Sequence, residues 1–355
     1  DKDAMKSFVV DNFNVNSSKQ LQTLLALAGI EVESTDAKVL KDIKDPHPII
    51  ASLLAYRGVE KKISTYGEKF LAKIHPVTNR LHAEFNNLGA RSGRFSSSDP
   101  NMQNIPRLPQ YRNCFVAADG KVLIACDYSQ QEYRLAGAIS SEPVIIDAYK
   151  NGADMHTATA SIVHGIPLEQ VSEAQRNRAK GINFAILYGS TEFGLAYNLK
   201  VDVNEARRII QQFYDGYPTL AAFKKLAEDY IVKNKYSTTL LGRRRYWEPL
   251  SPFSKPWEIE SANSKMRREG FNHIIQGTGA DVTKLALNEI FYNNPFGDRL
   301  KIVLQVHDEI VVECNEEIGD DAEQFVKSSM INVFQPFLGD IPAKVGSGKG
   351  KVWRH

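Results

Sequence analysis

A chain of 355 residues with 43% hydrophobic side chains exceeds the usual size of one domain and can bury a substantial core, so two or three subdomains are expected. Its 44 basic and 42 acidic side chains leave a net charge of only +2, which excludes a uniformly cationic surface and confines any phosphate affinity to local clusters: Arg243-Arg244-Arg245, Arg267-Arg268, Lys61-Lys62 and the pair Arg91/Arg94. Three cysteines (Cys114, Cys126, Cys314) without CxxC spacing argue against a zinc site or a disulfide framework, and the lack of a membrane-length apolar run or a signal peptide predicts a soluble, intracellular protein that does not engage membranes.

Along the chain, residues 122–126 form a short apolar run typical of a buried strand. From Gln131 onward, Tyr133, Leu135, Ala136 and Ile139 take helical spacing, so Asp127 sits where a strand ends. Taken alone, that aspartate reads as the cap of the next helix. Residues 172–187 contain no proline, and Ala179, Ile182, Ala185 and Ile186 recur at three- and four-residue steps; this predicts a helix stopped by Gly189. Arg176, Lys180, Phe184 and Tyr188 then share one stripe, two cations leading into two rings. The stripe is either a solvated first turn followed by core aromatics, or a surface with a triphosphate against the cations and a base or sugar against the rings.

Residues 251–265 read as a loop or insertion. Residues 302–306 and 310–312 are β-rich runs flanking His307-Asp308-Glu309, a hairpin with acids at its tip, although turns favour aspartate in any case. The segment VGSGKGKVW near the C-terminus lacks the spacing of a phosphate loop and reads as a turn. If the strand ending at Asp127 lies beside the hairpin, Asp127 and Asp308 project from adjacent strand ends and can share divalent metal. A carboxylate pair with few other ligands suits magnesium, and two such ions serve an in-line phosphoryl displacement. Metal-holding acids, the cation-to-aromatic helix and the basic patches together specify nucleotidyl transfer better than any of them alone.

The segments DYSQQEYR, RNRAKGINFAILYG and QVHDEIVVE resemble, in that order, motifs A, B and C of the family A (bacterial polymerase I-like) DNA polymerases. YRGVEKKISTY, GRFSSSDPNMQNIP, DMHTATAS, LGRRRYW and GFNHIIQGTGAD extend the similarity nearly end to end. The resemblance implies an α+β right-hand fold: a partial thumb over residues 1–74, a palm carrying an antiparallel sheet over 75–135 and 256–355, and helical fingers over 136–255. It implies a template-dependent DNA polymerase that adds dNMP to a primer 3′-hydroxyl, works as a monomer with two Mg2+ ions (Mn2+ substituting), and takes primer-template DNA and deoxynucleoside triphosphates. No exonuclease acids precede the palm, so no proofreading is expected. The alternatives are a single-subunit RNA polymerase relative, which Glu132 beside the motif A acid disfavours, and a catalytically weak or silent DNA-binding subunit, which the intact Asp127, Asp308, Arg176 and Lys180 disfavour.

By the same resemblance, Asp127 and Asp308 are metal ligands, with the Tyr128 carbonyl joining the shell and Glu309 adjacent and supportive. Arg176, Lys180 and His156 grip the triphosphate, and Lys180 is also a proton donor to departing pyrophosphate. Gln130 and Phe184 line the nucleotide, Tyr188 covers the templating pair, and Glu132 is a steric gate against a ribose 2′-hydroxyl. Arg94, Asn272, Gln276 and His307 touch the minor-groove side of the primer terminus, while Lys61, Asn101, Gln103, Asn104 and Arg268 contact the DNA backbones. Four positions depart from the common pattern: Gln131 and Tyr133 replace an aliphatic residue and leucine, Gly181 replaces threonine, and Ala185 replaces glycine.

Overall fold

The computed structural model describes residues 13–43 and 46–354 and divides the chain into two compact units, 1–82 and 83–355. Residues 1–12 and 44–45 of the expected partial thumb lie outside the described residues. The first unit is helical. Ser17 starts the helix Ser18–Leu27 by accepting from the Gln20 amide, and Pro48 opens the helix Pro48–Tyr66 from its first turn, where the missing N–H costs nothing. Leu21, Leu25, Leu40, Ile50 and Leu53 form its core.

The second unit is built on a four-stranded antiparallel sheet. Its strands are β1 (Lys121–Tyr128), β2 (Leu300–Val306), β3 (Glu309–Asn315) and β4 (Val345–Gly350), in the spatial order β2-β3-β1-β4. Alternation sends Val122, Ile124, Cys126 and Tyr128 of β1, with Ile310, Val312 and Cys314 of β3, into the main core. The helix Gly319–Phe334 brings Val326, Met330 and Phe334 to that core, and the Tyr128 hydroxyl donates to the Met330 carbonyl at 3.0 Å. Cys126 and Cys314 are therefore packing groups, and burial pushes the Cys126 thiol up to about 12. The other face of the sheet carries Asp127 opposite Glu309 in register.

Two expectations are corrected. VGSGKGKVW is no turn: its first six residues form β4, paired with β1 so that Gly346, Gly348 and Gly350 lie opposite Asp127, Ala125 and Leu123. Glycine disfavours strands, but β4 is an edge strand held by main-chain bonds that need no side chain. Likewise, residues 251–265 are not wholly a loop, because the helix Pro256–Tyr292 begins within them. Pro256 sits in its first turn, and the Glu258 carboxylate accepts from the Lys255 amide at 2.7 Å, so a proline read as punctuation is a start signal.

Candidate active site

After β1 the chain turns sharply into helix α1 (Gln131–Ser140). Gln130 enters it with φ +54° and makes no side-chain cap, so Asp127 is not the capping residue that its position alone would suggest. On the neighbouring hairpin, His307 and Asp308 form the two-residue turn between β2 and β3. His307 takes φ +57°, the left-handed conformation that such turns favour. The Tyr128 amide donates to the Asp308 carbonyl at 3.4 Å, which brings the ends of β1 and β3 together and seats the two aspartates side by side.

Their chemistry follows from that proximity. Burial and the neighbouring charge of Asp127 push the Asp308 carboxyl up to about 7. Two crowded carboxylates, one of them poised to hold a proton, form a hard oxygen donor set that a divalent cation would relieve. No group of three or more His, Cys, Asp or Glu that could hold a metal occurs among the described residues, so any ion here would complete its shell with main-chain, water or ligand oxygens.

Glu309, next in sequence, is fully buried, with its carboxylate turned to other partners. Arg112 Nη1 donates to it at 3.2 Å and Trp353 Nε1 at 2.5 Å, while the Arg112 guanidinium lies 4.0 Å over the Trp353 ring. Arg112 escaped the sequence reading because no motif surrounds it, and Trp353 because the segment it ends reads as a turn.

Helix α2 (Met155–His164) and helix α3 (Glu173–Leu187) supply the second part of the site. Ser172 and Gln175 close a capping box that fixes where α3 begins, and hence which side chains share its outer face. That face carries Arg176, Lys180, Phe184 and Tyr188. Phe184 is 43% exposed and Tyr188 37%, so the rings are not core aromatics, and they stack with centroids 6.0 Å apart. Arg176 is held by Asp154, Nε to Oδ2 at 2.6 Å and Nη2 to Oδ1 at 3.3 Å. Phe184 also lies 6.2 Å from the His156 ring. Burial holds His156 below its ordinary pKa; Asp154 opposes that shift, and Arg176 and Lys180 add to it.

Glu132 links the two parts. Its carboxylate accepts from Arg94 Nη2 at 2.6 Å and from Gln276 Nε2 at 3.4 Å. Burial raises the Tyr188 phenol pKa, and the charge of Glu132 and a hydrogen bond to it raise it further. Arg268, Asn272 and Gln276 recur every four residues along the helix Pro256–Tyr292 and so share one stripe. Gly189 has φ +71°, and a Cβ there would meet Arg268 Cγ at 2.4 Å, so both conformation and space require glycine.

Gln103 is buried, its amide donating to Gln305 Oε1 at 3.0 Å, and the Asn101 side chain accepts from the Gln103 main chain at 3.0 Å. Asn104 is exposed in the same loop. Lys61 is exposed on the helix Pro48–Tyr66 of the first unit. Partial burial, with Arg94 and Arg107 nearby, keeps the His307 pKa low.

The family model described as DNA polymerase family A matches residues 2–355. The thermostable DNA polymerase I of Thermus aquaticus is 36% identical over 356 residues, covering 96% of this chain and 42% of that protein. The DNA polymerase I of Pseudomonas aeruginosa is 34% identical over 360 residues, covering 96% and 38%. The chain thus spans about two fifths of the length of these curated relatives. A solved structure, the POL domain of Pol1 from M. smegmatis in complex with DNA primer-template and dNTP, superposes with a TM-score of 0.87 at 32% identity over 99% of this chain and 63% of that one.

Proposed function

Because the chain belongs to DNA polymerase family A, we propose that it is a DNA-directed DNA polymerase domain that extends a primer 3′-hydroxyl with deoxynucleoside triphosphates and releases pyrophosphate. The observation that carries this reading is the Asp127–Asp308 pair, brought together from a strand and a neighbouring hairpin turn and crowded enough to raise one carboxyl. Asp127 and Asp308, with the Tyr128 carbonyl, would hold two Mg2+ ions. Bound there, such ions favour attack by the primer hydroxyl and stabilise the leaving phosphate oxygen.

The chain's own residues do the positioning. Arg176 exchanges or shares Asp154 for the triphosphate, Lys180 stands one turn further along the same face, and His156 flanks it. Lys180 donates a proton to departing pyrophosphate. Phe184 and Tyr188 offer a flat surface to sugar and base. Glu132, tied to Arg94 and Gln276 and set beside Tyr188, leaves no room for a ribose 2′-hydroxyl. Arg94, Asn272, Gln276 and His307 line the minor-groove side of the new pair, where acceptors common to all base pairs permit a check of shape without a reading of sequence. Lys61, Asn101, Asn104 and Arg268 track the backbones, with Gln103 shaping the loop that carries the two asparagines. In domain terms, residues up to about 74 serve as thumb, 75–135 and 256–355 as palm, and 136–255 as fingers.

Primer extension on a short primed template with magnesium, using dNTPs or rNTPs and comparing the chain with Asp308→Ala, tests the reading. Extension with dNTPs that falls by about a hundredfold or more in the variant supports it, on the scale of removing one electrostatic stabiliser at a reacting centre. Equal extension by both overturns the assignment of the two acids.

A further inference from the structure

The His156 ring is set in a buried polar chain that runs across three helices and a loop. Its Nδ1 lies 3.0 Å from Asn183 Nδ2 on α3. The Tyr133 hydroxyl on α1 donates to Asn183 Oδ1 at 3.2 Å and lies 3.4 Å from Thr159 Oγ1, which is 3.0 Å from the Tyr217 hydroxyl. These five residues are between 0% and 6% exposed. Three buried hydroxyls carry three protons. Among the hydrogen bonds recorded for them in the described residues, Asn183 Oδ1 is the one acceptor that bears no proton of its own. The Tyr133 and Tyr217 hydroxyls also bond to each other, so the three hydroxyls share their protons among themselves, and the placed Asn183 amide oxygen takes the proton of Tyr133.

With Oδ1 committed, the Asn183 amide can only donate to His156. Nδ1 must then present its lone pair, and the ring proton sits on Nε2. On that side Gln130 Nε2 is 3.3 Å away, and Gln130 Oε1 accepts from the Tyr149 hydroxyl at 2.7 Å. A hydroxyl both donates and accepts, so the Gln130 amide can turn over and offer its oxygen to Nε2–H without losing Tyr149. The charged groups facing the ring are Asp154, Arg176 and Lys180.

We propose that Tyr133 and Asn183 are positioning residues that fix His156 as the tautomer protonated on Nε2, so that the ring offers a nucleotide phosphate an N–H donor. The ligand in this statement rests on the polymerase reading; the tautomer does not. The test is long-range 1H–15N spectroscopy of the whole chain labelled with 15N-histidine, with His156 assigned by loss of its signals in His156→Gln. The expected result is a single tautomer with bare Nδ1. Tyr133→Phe, which removes one hydroxyl, is expected to abolish that single-tautomer pattern and to raise KM for dNTP about three- to tenfold with kcat little changed, the scale of one hydrogen bond. Thr159→Val, upstream of Tyr133, is expected to keep the tautomer. A proton on Nδ1 in the parent chain, or an unaltered Nε2–H pattern in Tyr133→Phe, overturns the proposal. If the spectra follow expectation while no variant or parent extends primers, the positioning stands and the polymerase reading falls.

Discussion

The paired acids and the face of α3 solve the problem of placing charge in opposite ways. Asp127 and Asp308 are fixed by the main chain: strand register, a two-residue turn and a hydrogen bond from Tyr128 to the Asp308 carbonyl leave them little freedom. Behind them, Glu309 is paired in the interior with Arg112 and accepts a hydrogen bond from Trp353. The cations of α3 are fixed only by helix phase and stand at the surface, with Arg176 lent to Asp154. Buried charge is held where it must not move. Exposed charge is left exchangeable, as the proposed grip on a triphosphate would require.

The largest test of this contrast is Arg112→Met. It leaves Glu309 buried with one partner fewer and is expected to destabilise the fold by about 3–5 kcal/mol in denaturant titration, whereas the same loss at the surface pair Lys150–Asp340 should cost less than about 1 kcal/mol. A similar cost for both would break the comparison.

A second test is pH. Folding raises the Asp308 carboxyl from 3.8 to about 7, so over that interval the folded chain retains a proton that the unfolded chain has released. Without metal, the stability linked to this group is full below about pH 4 and falls as pH rises through 7, by at most about 4 kcal/mol. Asp308→Asn should flatten that slope, and added Mg2+ should restore more stability at pH 8 than at pH 5.

Third, Arg176→Ala should raise KM for dNTP about tenfold to a hundredfold, the worth of a hydrogen bond to a charged group, while leaving the unfolding midpoint nearly unchanged. The smallest effect sharpens the join between the two regions. Glu132→Ala should erode discrimination between dNTPs and rNTPs by about tenfold in single-turnover incorporation, the scale of one lost steric contact. Unchanged discrimination would remove Glu132 from that role.

Local chemistry was legible in the sequence. The helix over 172–187, the strand leading to Asp127 and the hairpin around Asp308 could each be read from periodicity and turn composition, because each signal lies within a dozen or so residues. Two misreadings arose where one residue type serves two purposes. Pro256 breaks a run in many contexts but starts a helix here, and the glycines of β4 mark turns elsewhere but here pair with β1. The partners of Glu309 and the hydroxyl chain to His156 were invisible. Arg112 lies 197 residues from Glu309, and Tyr217 lies 58 from Thr159, so nothing in a local window announces either pair.

The sheet order also dictates when the site can exist. β1 is central, flanked by β3 and β4, yet both neighbours come from the last fifty or so residues of the chain. During synthesis, Asp127 would wait on an unpaired strand through the making of every helix of the middle region, and contacts of such long sequence separation are slow to close. The paired-acid centre would thus be among the last features assembled. A nascent or C-terminally shortened chain could carry helix α3 intact and still have nowhere for the two acids to meet.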